Sequence, residues 1–166
     1  MTITLLPPSA DDEPAILTLN NAHAVELSLL DPDGLRDLLA HAYHARVGSD
    51  RSCFLIAFDQ DAEYSSPNFL WFRERYKRFV YVDRVVVSAA ARGRGLARLL
   101  YDDLFAQAAA GGHRRICCEV NLDPPNIGSG RFHAALGFKE VGRATLANGK
   151  TVKYLLHTLA GISSPR

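Results

Sequence analysis

Residues 85–100 read VVVSAAARGRGLARLL. Val85-Val86-Val87 is a β-branched run that favours a strand. Ser88 to Ala91 are small residues that interrupt it, and Leu96-Ala97-Arg98-Leu99-Leu100 resumes with helical character. Between the two lies Arg92-Gly93-Arg94-Gly95. A strand that hands over to a helix in this way aims unpaired backbone N–H groups and the positive helix end at whatever sits above the turn. Gly93 and Gly95 lack a Cβ, so the backbone can approach an oxygen closely and adopt positive φ. Arg92, Arg94 and Arg98 add charge that meets phosphate directly. The stretch reads as a cradle for a phosphate or pyrophosphate.

The remaining chain narrows what that cradle serves. With 166 residues, 48% hydrophobic and 22% charged, the chain is expected to fold as a single domain spanning residues 1–166 with a substantial core. Nineteen Lys and Arg stand against eighteen Asp and Glu, a formal charge of +1. That balance supplies no general attraction to nucleic acid or to an acidic membrane surface, so neither is expected as a partner. The opening MTITLLPPSADDE has no basic start followed by an apolar segment, and no apolar run approaches bilayer length. Cys53, Cys117 and Cys118 show neither a disulfide framework nor metal-ligand spacing. A cytoplasmic setting is the expectation, with no metal site.

Local signals along the chain predict a mixed α/β domain in the order β-α-α-β-β-β-α-β-α-β-β. Ile3 to Leu6 forms a first strand, stopped by Pro7-Pro8. Asp11-Asp12-Glu13-Pro14 and Asp31-Pro32-Asp33-Gly34 open two helices, with acidic residues and Pro where helix starts favour them. Ala45–Val47 and Cys53–Phe58 are short strands around Gly48-Ser49-Asp50. Residues 59–78 are predicted to be a core-covering turn or short helix, built on the aromatic patch Phe69-Leu70-Trp71-Phe72, with a substrate-lining role as the other reading. Phe79 to Val87 is a strand, and Gly95 to Ala110 a helix with Leu96, Leu99, Leu100, Leu104 and Ala108 buried. Ile116–Val120 is a strand and Ser129–Leu136 a helix. Phe138–Leu146 pairs with Thr151–Leu159 through a tight turn at Asn148-Gly149.

Three phosphate motifs compete for residues 92–98. A P-loop requires Lys followed by Ser or Thr after its second glycine, where Leu96-Ala97 stands. A dinucleotide fingerprint requires Gly or Ala where Arg98 stands. The pattern Arg-x-x-Gly-x-Ala is filled by Arg92, Gly95 and Ala97, with the strand Val85–Val87 five residues upstream. Farther along, Asn126, Ser129, Phe132 and the closing Leu136-Gly137-Phe138 form a second signature. Together with the element order, the two motifs resemble the GNAT N-acetyltransferase superfamily over most of the chain.

The resemblance implies a GNAT-like fold with a splayed central sheet, acetyl-CoA as the acyl donor, and a primary amine of a small molecule or peptide as the acceptor. It implies that the backbone of Val85, Val86 and Val87 bonds the pantetheine arm. The amides of Arg92, Gly93, Arg94, Gly95, Leu96 and Ala97 would hold the pyrophosphate, and Asn126, Ser129 and Phe132 would contact the cofactor. A homodimer is a further expectation, since similar proteins often pair, although no segment declares an interface. Where the family often places a Tyr as acid for the departing thiolate, this chain carries His133. His133 is therefore the candidate acid, with packing or a hydrogen bond within its helix as the plainer reading.

Acetyl transfer also needs an acceptor for the amine proton. Glu119, within the strand ICCEV, is the preferred base, and Asp83 on the neighbouring strand is a second carboxylate on the substrate side. Ion pairs with Arg84, Arg114 or Arg115 are the plainer account of both. Glu26, between the first two helices, is expected to face the incoming amine. His23 reads as a helix end, with a substrate-loop role less favoured. A non-catalytic acyl-CoA sensor remains the alternative, kept open by the histidine at position 133.

Overall fold

The computed structural model describes residues 2–23, 27–123 and 125–160. Glu26, expected to face the amine, lies outside the described residues. Seven strands form one mixed sheet: β1 (Leu5–Leu6), β2 (His44–Gly48), β3 (Cys53–Asp59), β4 (Val80–Val87), β5 (Arg115–Asp123), β6 (Lys139–Thr145) and β7 (Thr151–Thr158). Their order across the sheet is β1-β2-β3-β4-β5-β7-β6. The helices are α1 (Glu13–Asn21), α2 (Pro32–His41), α3 (Pro67–Arg73), α4 (Leu96–Ala110) and α5 (Ile127–Ala135).

Helix α3 is absent from the predicted element order, which ran directly from strand to strand between residues 58 and 79. Its seven residues are too few for periodicity to register, and tertiary burial decides it. Phe69 and Phe72 are fully buried, packing with Phe79 and Tyr81. Trp71 stacks on Tyr154 at 4.2 Å between ring centroids. Gly142 of β6 lies so close to that indole that a Cβ there would overlap the ring. The aromatic patch thus covers the core, as its first reading expected.

The first strand is also shorter than predicted. Thr4 exchanges bonds with the turn at Ser49, through Thr4 N–H to Ser49 Oγ at 3.0 Å and Ser49 N–H to the Thr4 carbonyl at 2.7 Å. Those partners leave the ladder proper to Leu5 and Leu6. At the other end of the sheet, Asn148-Gly149 turns as predicted, with Gly149 at φ 86°.

Hydrophobic cores lie on both faces of the sheet. Helices α1, α2 and α3 cover one face with Ile16, Leu35, Phe69 and Phe72. Helix α4 covers the other, joined by Leu136 and Phe138 beyond α5. Within α4 the buried stripe is Leu96, Leu100, Tyr101, Leu104 and Ala108. Leu99, predicted inside, is 40% exposed. The four-residue spacing from Leu96 to Ala108 sets the stripe's centre, and Tyr101, not Leu99, lies on its inward flank.

Two irregularities in β4 shape the site. Ile56 of β3 pairs with Arg84 and Ala57 with Val82, which leaves Asp83 unopposed as a bulge. The extra residue flips the alternation. Val80, Val82, Val85 and Val87 pack on the α4 side, while Tyr81 and Val86 pack on the other. Strand β4 also pairs with β5 only at Val80↔Ile116 and Tyr81↔Cys117. Beyond those positions β5 follows β7 and β4 follows β3, so the sheet opens into a V.

Candidate active site

A cleft of about 590 Å³ occupies the V, lined from β4, the Arg/Gly turn, β5, α4 and α5. Most residues expected at the site converge there: Asp83, Val85, Val86, Val87, Arg92, Gly93, Gly95, Leu96, Ala97, Glu119, Asn126, Ser129, Phe132 and His133. Arg94 does not line it; the residue is exposed, and its charge helps lower the pKa of Asp50. Arg98, one turn into α4, lines it instead.

The turn adopts the backbone its glycines permit. Gly93 and Gly95 sit at φ 79° and 75°, the left-handed region that L side chains rarely enter. Adjoining residues of the chain aside, no described protein atom lies within 4 Å of where a Cβ would project from either glycine. The backbone is therefore open on that side, and Gly95 caps the start of α4. Unpaired N–H groups at this helix start suit an anion. At the other rim, Asn126 caps α5 by accepting from the Ser129 N–H at 3.3 Å. Its carbonyl oxygen is thus partly committed to the protein.

The two acidic candidates behave differently. Asp83 accepts from Arg84 Nε at 2.9 Å and from the Tyr64 hydroxyl at 2.7 Å, one bond on each oxygen. Arg84 is itself buried and donates to Asn20 Oδ1 and to the Ser28 carbonyl and hydroxyl. Both Asp83 and Arg84 reach the same face because the bulge suspends alternation there. The plainer expectation of an Asp83–Arg84 ion pair therefore holds, and Asp83 has no unengaged oxygen for an amine. Burial raises its pKa against the opposing effect of Arg84.

Among the described residues Glu119 forms no ion pair; its Oε1 accepts from the Tyr81 hydroxyl at 2.6 Å. Glu119 lines the cleft and is half-buried. That burial pushes its pKa up to about 7, with the Tyr81 bond opposing the rise and the Asp83 charge adding to it. A carboxylate at that pKa suits proton transfer near neutrality.

His133 lies in the α5 wall and is 4% exposed. Its Nδ1 is 2.8 Å from the Ser129 carbonyl oxygen. A carbonyl can only accept, so Nδ1 carries the hydrogen and Nε2 of the neutral ring is bare. The Tyr101 hydroxyl, 2.6 Å away, donates to that Nε2. Burial lowers the His133 pKa and raises that of Tyr101 well above its ordinary value, so both groups are held neutral. Sequence reading sets Tyr101 aside, with Tyr154, as too remote from the motif to stand in for the usual Tyr; the fold brings Tyr101 to His133 from α4. Its only local signal is a place on the buried stripe of α4, and Tyr64 and Tyr81 were missed for the same kind of reason.

Among the described residues, no cluster of His, Cys, Asp or Glu is arranged to hold a metal ion. No described helix is long and apolar enough to cross a membrane.

The fold and cleft have counterparts among known proteins. The structure resembles Ard1 from Thermoplasma volcanium with a TM-score of 0.78 at 12% identity, covering 96% of this chain and 99% of that one. It resembles the ribosomal-protein-S18-alanine N-acetyltransferase from Escherichia coli with a TM-score of 0.72 at 15% identity, covering 99% and 100%. Arabidopsis thaliana NAA60 in complex with acetyl-CoA gives a TM-score of 0.73 at 15% identity, covering 95% and 99%. At such identities these likenesses establish the fold alone. No curated protein sequence matches the chain. A family model, described as the acetyltransferase (GNAT) family, matches residues 44–138, which carry β2 through α5 and hence both walls of the V. This chain belongs to the GNAT acetyltransferase family.

Proposed function

We propose that the protein is an acetyl-CoA-dependent N-acetyltransferase acting on a primary amine of a small molecule or peptide. One observation carries the reading: β4 and β5 part above a positive-φ Arg/Gly turn, with a proton-accepting carboxylate inside the opening. The open edge of β4 fits an extended amide-bearing arm, since Val85–Val87 have backbone groups facing the V with no strand partner there. The uncrowded turn at Gly93 and Gly95 fits a diphosphate.

The bound thioester would supply the activated acetyl group. This chain's residues supply the rest. The amides of Gly93 to Ala97 and the Arg92 and Arg98 guanidiniums would hold the diphosphate, the Arg92 N–H being given to the Ala89 carbonyl, while Asn126, Ser129 and Phe132 would flank the arm. Holding both reactants in one cleft gives a large effective molarity. Glu119 takes the amine proton on the acceptor side of the sheet. For the departing sulfur, the Tyr101 hydroxyl lines the cleft, and it can pass its hydrogen to the thiolate only by turning away from His133 Nε2, where that hydrogen now rests. The Nδ1 hydrogen of His133 is committed to the Ser129 carbonyl, so His133 orients the Tyr101 hydroxyl and is not itself the acid. The histidine at position 133 thus leaves a hydroxyl in the cleft beside it, and thiol release is what separates an enzyme from a non-catalytic sensor.

The test is release of free thiol when acetyl-CoA is mixed with a panel of small primary amines and short peptides. Amine-dependent thiol release supports the reading. Binding of CoA without release from any amine would favour the sensor, and no CoA binding at millimolar concentration would overturn both.

A further inference from the structure

His23 follows α1, which packs on one face of the sheet, yet its side chain reaches the turn that feeds α4 on the other face. Its Nδ1 is 2.9 Å from the Leu19 carbonyl oxygen. Since that oxygen can only accept, Nδ1 carries the hydrogen and the neutral ring presents a bare Nε2. Arg92 Nη2 lies 3.0 Å from Nε2, and a guanidinium can only donate, so the contact is an N–H···N hydrogen bond. Both side chains line the cleft. The bond spans the end of β4 and ties the segment after α1 to the diphosphate turn.

Arg92 is otherwise a long, exposed side chain on that turn. Its remaining N–H groups make no hydrogen bond among the described residues. A guanidinium held by one edge keeps its other donors available in a fixed fork. Holding it before the ligand arrives lowers the cost of ordering a flexible side chain on binding.

We propose that His23 is a positioning residue for the donor: its Nε2 holds the Arg92 guanidinium over the Arg/Gly turn so that the free donors meet the diphosphate. Donor affinity thereby depends on a residue of the α1–α2 connection, which no motif of the chain marks. The inference rests on the cleft being the CoA site.

The experiment compares wild type with His23→Leu, which removes the acceptor nitrogen, and His23→Gln, whose side-chain oxygen can accept from Arg92. CoA affinity is measured by calorimetry, and KM and kcat are measured with a responsive amine. His23→Leu is expected to weaken CoA binding and raise KM for acetyl-CoA by about three- to tenfold, the range set by one immobilised side chain. The change should fall on that KM and not on kcat or the amine KM. His23→Gln should recover affinity to within about twofold. In an Arg92→Ala background His23→Leu should have no further effect, the mark of coupling in a double-mutant cycle. Unchanged affinity in His23→Leu would overturn the proposal, as would an equal loss in the Arg92→Ala background or a failure of Gln to rescue. If His23→Leu fails to fold, His23→Ala takes its place: weakened CoA binding that vanishes in the Arg92→Ala background supports the proposal, and unchanged binding, or the same loss in that background, overturns it. Failure of wild type itself to bind CoA would instead remove the acetyltransferase reading.

Discussion

At Glu119, the burial that suits a carboxylate to accept a proton also affects the stability of the fold. Its folded pKa, about 7, lies above the ordinary 4.5. The folded state therefore binds the proton more tightly than the unfolded state does. The resulting stabilisation is complete below about pH 4.5 and is lost as pH rises through about 7. Glu119→Gln keeps the size and an oxygen for Tyr81 but cannot ionise. Relative to wild type, the variant should gain on the order of 3 kcal/mol of stability between pH 5 and pH 8, since the loss runs from pH 5 to about 7 at about 1.4 kcal/mol per pH unit. Urea unfolding at the two pH values measures this, and a difference that stays constant with pH would refute the buried-carboxylate account. With a responsive amine, the same variant should lower kcat/KM by about 10²- to 10⁴-fold, the usual contribution of a general base. The wild-type rise in rate through about pH 7 should disappear with it.

Among the elements, the turn between β4 and α4 shows most directly how local sequence becomes a binding surface. Gly95 caps α4 at φ 75°, with open space beside its Cα. In Gly95→Glu the side chain would project into the space assigned to the diphosphate with a negative charge, and an L residue would be forced into the left-handed region. CoA binding should weaken by about ten- to a hundredfold, the equivalent of one lost charged hydrogen bond of about 1.5–3 kcal/mol. Gly95→Asn, whose side chain tolerates the left-handed region, separates backbone strain from charge. Calorimetry on both variants reads the outcome, and wild-type affinity in Gly95→Glu would dismiss the turn as the anion site. The start of this element was legible in sequence because glycine, arginine and a strand-to-helix transition act locally. For α3 the sequence left turn and short helix undecided, because what settles it is the burial of Phe69 and Phe72 against Phe79 and Tyr81, residues with no local signal for that packing.

For the molecule as a whole, the V is a structural weakness that a ligand should repair. Most of β4 and β5 forgo mutual pairing, and the remaining sheet is continuous on either side. A donor that bridges the gap binds only the folded state. At a hundred times its Kd it should add about 2.7 kcal/mol of stability. For a chain of this size each kcal/mol is worth about 2–4 °C, so the melting temperature should rise by about 5–10 °C. A thermal scan with and without excess CoA tests this, and an unmoved transition would contradict binding in the V.

What the sequence determined by itself was the inventory that depends on near neighbours. That inventory includes the Arg92–Ala97 turn, the strand before it, the helix after it, the Asn148-Gly149 turn and the carboxylate at Glu119. Backbone preference, capping and side-chain alternation act over a few residues, so they can be read along the chain. Tertiary structure alone decided the bulge at Asp83, the parting of β4 from β5, and the pairing of Asp83 with Arg84 while Glu119 kept only a tyrosine. It also decided the meetings of Tyr101 with His133 and of His23 with Arg92, across 32 and 69 residues of chain. Those contacts follow from how two helical layers close on a twisted sheet, a balance of burial and hydrogen bonding summed over the whole fold.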